Sequence, residues 1–188
     1  RLKGTDGNAR EIIYLTIPEM DRLRACQIPD NQKHLEQTRD VFLFCCYTSL
    51  RYSDVAALKV EDVKEGYITV VTQKTSDGLK IELNRHAQAI IDKYHGKRFR
   101  GDRALPVISN QKMNDYLKEL GRMAGIDAPT RVVYFRGEQR FDEYHPKWEL
   151  LTTHCARRTF VVTALQLGIP VEVIIRWTGH SSYEAMKP

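Results

Sequence analysis

Apolar residues recur along most of the chain at helical spacing, so the sequence predicts a series of helices around a buried core. Thr16 followed by Glu19 is the pattern of a capping box, and a helix is predicted to begin there. A second helix is predicted over 32–49. It is apolar on nearly every side after Val41, so it should lie in the centre of the fold. A short helix is predicted over 53–58.

Alternation of apolar and polar residues at two places predicts β-structure between the helices. Residues 67–74 and 79–83 alternate on either side of Ser76-Asp77-Gly78, which is the pattern of a hairpin. A second, more irregular β segment is predicted over 131–152, around Arg136-Gly137. Helices are predicted over 85–94 and 110–124.

The last third of the chain predicts three further helices. The first covers 154–167, and Gly168 suits its left-handed C-cap, while the next runs from Pro170 to Gly179. Ser181 and Glu184 form a capping box for a final helix, which has nothing to bury before the chain ends. The predicted fold is mainly α with a small antiparallel β-sheet, an α+β fold, in one domain.

Composition and charge narrow the class of protein. The chain has 188 residues, 42% hydrophobic and 28% charged, which is ordinary for a globular domain. No apolar run approaches the roughly 20 residues that cross a bilayer. The net charge of +5 suits a polyanionic partner such as nucleic acid but does not establish one. Residues 1–10 are polar and contain glycine, so we expect a linker that follows an upstream domain.

The four cysteines form neither a CxxC pair nor a secreted-type disulfide framework. They are Cys26, Cys45, Cys46 and Cys155, and two of them lie in the apolar stretch 41–47. We expect reduced thiols that pack in the core of a cytosolic protein.

Two basic residues at the edges of predicted elements are candidates for chemistry. Arg51 lies between a buried helix and a short one, so it either pairs with Asp54 or awaits an anionic ligand. Lys74 lies where a strand runs into a turn. It is either solvated or brings an ammonium group to a reacting oxygen, and Lys80 on the opposite strand competes for that role.

Two histidines and an arginine complete the candidate set. His154 and Arg157 are three residues apart in the first turn of a predicted helix, so they share a face near N–H groups that attract anions. His180 lies in the break between two helices, where Gly179 permits the turn. The alternative explanations are that His154 and Arg157 are basic residues without a function on one helix face, and that His180 is a turn histidine without a function.

Taken together, the five groups indicate a site for a pentacovalent phosphate. Each can hold positive charge or donate a hydrogen bond, and no carboxylate cluster accompanies them: Arg51, Lys74, His154, Arg157 and His180. That chemistry needs donors for the equatorial oxygens and a proton for the leaving oxygen.

The same residues carry a resemblance to the tyrosine recombinase family, over essentially the whole chain. The family pattern is arginine, lysine, His-x-x-Arg, then histidine or tryptophan, then the nucleophilic tyrosine. The five residues match the first five positions of this pattern in the same order. The stretches 147–160 and 179–182 are the most similar to the family's sequences. The sequence is most similar to integrases of Bacteroides-type conjugative elements and phages. Ser49 departs from a frequent glycine, and Thr178 from a frequent leucine.

The resemblance implies a catalytic domain over 11–188 that follows a core-binding domain. It implies cleavage of double-stranded DNA at recombination sites through a 3′-phosphotyrosyl link, without cofactor or metal. Arg51, Arg157 and His180 would stabilise the non-bridging oxygens, His154 would accept a proton or bind the phosphate, and Lys74 would protonate the leaving 5′-oxygen. We expect a homotetramer on DNA, a monomer when free, in the bacterial cytoplasm and nucleoid.

The nucleophile is the one member of the pattern without a match in the chain. In the family it follows the last histidine by about nine positions, which is the position immediately after Pro188. Tyr183 is too near His180, and we expect it to be a packing or surface residue. The expected fragment therefore stops just before its nucleophile and is inactive by itself.

Three alternatives stay open from the sequence. A type IB topoisomerase uses a closely similar set of groups but relaxes DNA without site preference. A non-catalytic DNA-binding module descended from a recombinase would lack the tyrosine. A helical protein-interaction domain would leave the five groups without a purpose.

Overall fold

The computed structural model describes residues 12–71, 78–137, 139–179 and 182–186. The predicted linker 1–10 and the candidates Lys74 and His180 lie outside these ranges, as does Ser181, the predicted cap of the last helix.

Helices dominate the fold, as the hydrophobic pattern predicts. They are α1 (Ile17–Ala25), α2 (Lys33–Thr48), α3 (Tyr52–Ala57), α4 (Arg85–Tyr94), α5 (Asn110–Met123), α6 (His154–Gln166), α7 (Val171–Thr178) and α8 (Tyr183–Met186). Two 3₁₀ turns cover Val60–Asp62 and Lys147–Leu150. The predicted helix boundaries are within two residues of those observed. None of the helices in the described ranges is long and apolar enough to cross a membrane.

The strands form two antiparallel sheets where the sequence predicts one. They are β1 (Val63–Lys64), β2 (Tyr67–Val71), β3 (Gly78–Glu82), β4 (Pro129–Arg136) and β5 (Gln139–Pro146). The first sheet has the order β1–β2–β3 and contains the predicted hairpin, and β4 pairs with β5 alone. The second hairpin is regular over all eight residue pairs, so its predicted irregularity is wrong. The predicted β segment also ends sooner, at the 3₁₀ turn of Lys147–Leu150.

The capping box at the start of α1 is confirmed, and its Glu19 carboxylate also forms an ion pair with a distant lysine. The N–H of Thr16 donates to Oε2 of Glu19 at 2.7 Å, and the N–H of Glu19 donates to the Thr16 hydroxyl at 3.4 Å. The same carboxylate accepts from Nζ of Lys147 at 2.6 Å, and both side chains of this ion pair are largely buried. The beginning of α1 is therefore tied to the turn that follows β5.

α2 lies at the centre of the core, as predicted. Every residue from 41 to 46 is buried, and α2 packs against α4, α5 and α6. The cysteines are free thiols, and all but the half-buried Cys26 are buried. Burial raises the pKa of Cys45 to about 12 and that of Cys46 well above its ordinary value. These two thiols stay protonated and act as small apolar side chains.

A close approach between α5 and the turn Lys147–Leu150 places the beginning of α6. A Cβ on Gly121 would meet Cδ1 of Leu151 at 2.7 Å and Cβ of Trp148 at 2.8 Å, so only glycine fits. The backbone N–H of Trp148 also donates to the carbonyl of Ile126 at 2.9 Å. The chain thus arrives at α6 along the surface of α5.

α6 ends as the sequence predicts, but the last helix is packed where we expect nothing for it to bury. Gly168 follows α6 with φ of 76°, and the next N–H bonds back to the carbonyl of Ala164 at 3.0 Å. In α8, Met186 is buried in a small apolar cluster with Ile174 of α7 and Val161 of α6. The prediction that the last helix buries nothing is therefore wrong, because α6 and α7 present an apolar surface against which Met186 packs.

Candidate active site

The C-terminal end of α2 places Arg51. Ser49 caps the helix in the left-handed conformation, with φ of 63° and ψ of 10°, and its N–H donates to the carbonyl of Cys45 at 2.9 Å. Arg51 is the N-cap of α3, and its backbone N–H donates to Oδ2 of Asp54 at 3.1 Å. The Asp54 carboxylate thus accepts a hydrogen bond from the Arg51 backbone. The Arg51 guanidinium forms no ion pair with any residue in the described ranges. The ion-pair explanation of Arg51 is therefore wrong.

Arg157 joins the ends of two helices. It is 6% exposed, and its Nη1 donates to the carbonyl of Ser49 at 2.8 Å while Nη2 donates to the carbonyl of Thr178 at 2.6 Å. Gly179 caps α7 with φ of 64°, the same left-handed conformation that Ser49 gives α2. One guanidinium thus fixes the segment that carries Arg51 and the segment that leads into His180.

His154 begins α6 and is exposed, beside the buried Arg157. Partial burial lowers the pKa of His154, and so do the positive charges of Arg158, Arg157 and Arg51. The imidazole is therefore neutral at pH 7, with a lone pair that can accept a proton.

Positive charge gathers at this site, where the charges of Arg158, Arg157 and Arg51 all act on the His154 imidazole. Burial, and after it the charge of the neighbouring Arg51, lowers the pKa of Arg157 to about 10, while Asp54 acts in the opposite direction. Two guanidinium groups whose charges act on each other repel, and an anion between them relieves that repulsion. Guanidinium groups beside a neutral imidazole are groups that can bind the oxygens of a tetrahedral or pentacovalent phosphate.

Three of the five predicted residues lie in the described ranges, and the charges of Arg51 and Arg157 both lower the pKa of His154. Lys74 and His180 lie outside the described residues. The competing Lys80 lies with its Nζ 4.1 Å from the centre of the Tyr67 ring, a cation–π contact. Tyr183 is 48% exposed at the start of α8, so it lies on the surface.

Sequence reasoning missed the partners that hold these groups. Asn110 and Asn114 bond to Thr153, the residue before His154, and the carbonyls of Ser49 and Thr178 bind Arg157. Two asparagines four residues apart look like the solvated face of a helix, and a backbone carbonyl has no sequence signal. In the described parts of the chain, no group of three or more His, Cys, Asp or Glu side chains is arranged to hold a metal ion.

The comparison with known families decides the identity. A model of the phage integrase family matches residues 15–187. The chain belongs to the phage integrase family. This phage integrase chain is 24% identical over 164 residues to tyrosine recombinase XerC of Treponema denticola, a match that covers 84% of the chain and 53% of the relative. The chain thus spans about half the length of that relative.

Solved structures share the fold of this phage integrase chain. The XerH recombinase bound to a palindromic difH substrate, in a post-cleavage complex, has a TM-score of 0.68 at 13% identity, over 99% of this chain and 51% of that one. The catalytic core of lambda integrase has a TM-score of 0.59 at 17% identity, over 89% of this chain and 91% of that one. The predicted recombinase catalytic-domain fold, mainly α with small antiparallel sheets, is confirmed.

Proposed function

We propose that this chain is the catalytic part of a tyrosine recombinase, which cuts and rejoins double-stranded DNA at specific sites. The observation that carries the proposal is the buried Arg157, whose charge acts together with that of Arg51 on the exposed His154 imidazole. A scissile phosphate would bring negative charge to this cationic site. The relatives point the same way, because XerH and lambda integrase were solved on DNA sites.

The proposed reaction exchanges one phosphodiester for another. A tyrosine oxygen attacks the phosphorus and forms a 3′-phosphotyrosyl bond, while the bond to the 5′-oxygen breaks. His154, neutral at pH 7, accepts the tyrosine proton, and Lys74 gives a proton to the leaving 5′-oxygen. The 5′-hydroxyl of a partner strand then attacks the phosphotyrosyl bond and releases the tyrosine. The number of phosphodiester bonds is conserved, so the reaction needs no cofactor as an energy source.

The transition state adds negative charge on the non-bridging oxygens. Arg51 meets them with a guanidinium that no described carboxylate neutralises, and His180 is the third donor after Arg157. Arg157 also bonds to the ends of α2 and α7, so it would hold the segment that carries Arg51 in place before substrate arrives. The nucleophile is proposed at the position that follows Pro188, by its spacing from His180.

The finer expectations belong to the same proposal. We expect a homotetramer on DNA and a monomer when free, in the bacterial cytoplasm at the nucleoid. We also expect residues 1–10 to link a core-binding domain to a catalytic domain that begins at residue 11. The proposed subfamily is that of the integrases of Bacteroides-type elements, because the sequence of residues 147–160 resembles theirs.

The test is covalent capture of DNA by the natural protein, with the residues that follow Pro188. Nicked duplexes from the ends of its element should trap a 3′-phosphotyrosyl adduct, and scrambled duplexes should not. Relaxation of supercoiled plasmid without site preference would favour the topoisomerase alternative. Site-specific binding without an adduct would contradict catalysis and favour a DNA-binding module.

A further inference from the structure

Side chains of α5 hold the residue that precedes α6. The backbone N–H of Thr153 donates to Oδ1 of Asn114 at 2.9 Å, and the Thr153 hydroxyl donates to Oδ1 of Asn110 at 2.8 Å. Asn110 and Asn114 are four residues apart, so one turn of α5 presents both amide oxygens on the same side. Thr153 is therefore fixed at two points by one face of a neighbouring helix.

Thr153 does not act as an ordinary helix cap. A threonine N-cap has extended backbone angles, and its hydroxyl accepts a hydrogen bond from the first turn. Thr153 has φ of −55° and ψ of −30°, already helical, and its side chain makes no capping hydrogen bond. The beginning of α6 is thus fixed from outside, through Asn110 and Asn114, and not by its own cap.

This anchor bears directly on His154, the next residue. Within the described ranges the imidazole makes no hydrogen bond, so no side-chain contact of that kind sets its position. Its distance from the phosphate site of Arg51 and Arg157 follows from the backbone at Thr153. A displacement of about 1 Å in a reacting group costs on the order of 10²-fold in rate.

We infer that Asn114, assisted by Asn110, is a positioning residue that fixes the His154 imidazole against the scissile phosphate. The inference rests on the proposed function, because it assigns a role within strand cleavage. Neither asparagine is required to touch the reacting atoms. Both act through Thr153.

The direct test replaces Asn114 in the natural protein and follows single-turnover cleavage of nicked site DNA. Asn114→Ala removes the acceptor and should lower the cleavage rate by about 10²-fold with DNA affinity nearly unchanged. Asn114→Asp keeps an acceptor oxygen at the same place and should restore most of the rate. Its carboxylate would also favour the imidazolium form of His154, so the acid limb of the pH–rate profile should move to higher pH.

Thr153 provides a matched pair for the second hydrogen bond. Thr153→Ser keeps the hydroxyl that donates to Asn110 and should cleave at nearly the normal rate. Thr153→Val has almost the same shape without the hydroxyl and should cleave more slowly. Equal rates for the two variants would overturn the part of the inference that concerns Asn110.

Asn84 supplies the structural control, because its side chain accepts hydrogen bonds at the beginning of α4, a helix that contains none of the proposed catalytic residues. Its Oδ1 accepts from the N–H groups of His86 and Ala87 at 3.0 and 2.9 Å and caps α4. Asn84→Ala should lower the melting temperature much as Asn114→Ala does, with no change in cleavage. An equal loss of cleavage in the two variants would reduce Asn114 to a stabilising role and overturn the inference.

An NMR titration of His154 without DNA separates this inference from the proposed function. Asn114→Ala should change the chemical shift and the pKa of the His154 imidazole, whereas Asn84→Ala should change neither. If the natural protein cleaves no DNA, the proposed function fails and the titration still decides the positioning. If it cleaves, but Asn114→Ala keeps the rate and the His154 signals, only the positioning inference fails.

Discussion

At the residue scale, Ser49 combines two unfavourable features at the centre of the site. Its φ of 63° is a left-handed conformation, which costs a residue with a Cβ about 1–2 kcal/mol. Its hydroxyl is buried and has no hydrogen-bond partner among the described residues. The function of this position is carried by its carbonyl, which binds Arg157 and does not depend on the side chain.

Ser49→Gly should therefore raise the free energy of unfolding by about 1 kcal/mol, because glycine adopts this conformation without strain. Urea denaturation measures the change. Ser49→Ala is the matched control, since it removes the hydroxyl but keeps the Cβ in the left-handed conformation. A glycine variant no more stable than the alanine variant would contradict the strain at this position.

In the proposed mechanism, His154 makes the cleavage rate depend on pH. Burial and three neighbouring guanidinium groups hold its folded pKa below the ordinary value of 6.5, so the imidazole is neutral at and above that pH. As the pH falls through the folded pKa, His154 gains a proton and can no longer accept one from the tyrosine. At DNA concentrations far below saturation, where the rate reports the free protein, the cleavage rate should be level near neutral pH and decline only below 6.5. A decline that begins above 6.5 would contradict a lowered pKa for the proton acceptor.

At the element scale, the buried pair of Glu19 and Lys147 joins α1 to the turn before α6. Burial by itself would raise the pKa of Glu19, but the hydrogen bonds from Lys147 and Thr16 outweigh it and lower the pKa below 4.5. A carboxyl with a lowered folded pKa stabilises the fold above its unfolded pKa. That contribution is lost as the pH falls through the folded value.

Lys147→Met should lower the free energy of unfolding by about 3 kcal/mol, because it leaves the Glu19 carboxylate buried without its cation. The double variant with Glu19→Gln removes the stranded charge, so it should recover part of the loss. Urea denaturation at neutral pH measures both variants. A double variant less stable than Lys147→Met would contradict the destabilisation of the fold by an unpaired Glu19 carboxylate.

Helix boundaries were predictable from local signals, while the contacts between helices were not. The caps at Thr16 and Gly168 depend only on residues within three or four positions in the sequence. The sequence therefore predicts where α1 begins and where α6 ends. Arg51, His154 and Arg157 were predictable as a set because their chemistry has few other uses in that order. The bond from Arg157 to the carbonyl of Ser49 depends on the packing of α2 against α6, which no local pattern encodes.

At the scale of the whole molecule, DNA affinity and catalysis should be separable. The net charge of +5 predicts binding through many phosphate contacts, each of which releases counterions. By the role proposed for Arg51, Arg51→Ala removes one phosphate contact, so the slope of log Kobs against log salt concentration should fall in magnitude by about 0.9 and affinity should fall only modestly. A slope equal to that of the unsubstituted protein would mean that Arg51 meets no phosphate.

The central claim is that Arg51, His154 and Arg157 converge on the scissile phosphate, and strand cleavage by Arg51→Ala tests it most directly. Single-turnover cleavage of nicked site DNA is compared with that of Arg122→Ala, which removes an exposed arginine from the last turn of α5. We predict that Arg51→Ala cleaves about 10²- to 10³-fold more slowly and that Arg122→Ala is unaffected. Cleavage by Arg51→Ala at nearly the normal rate would contradict the account.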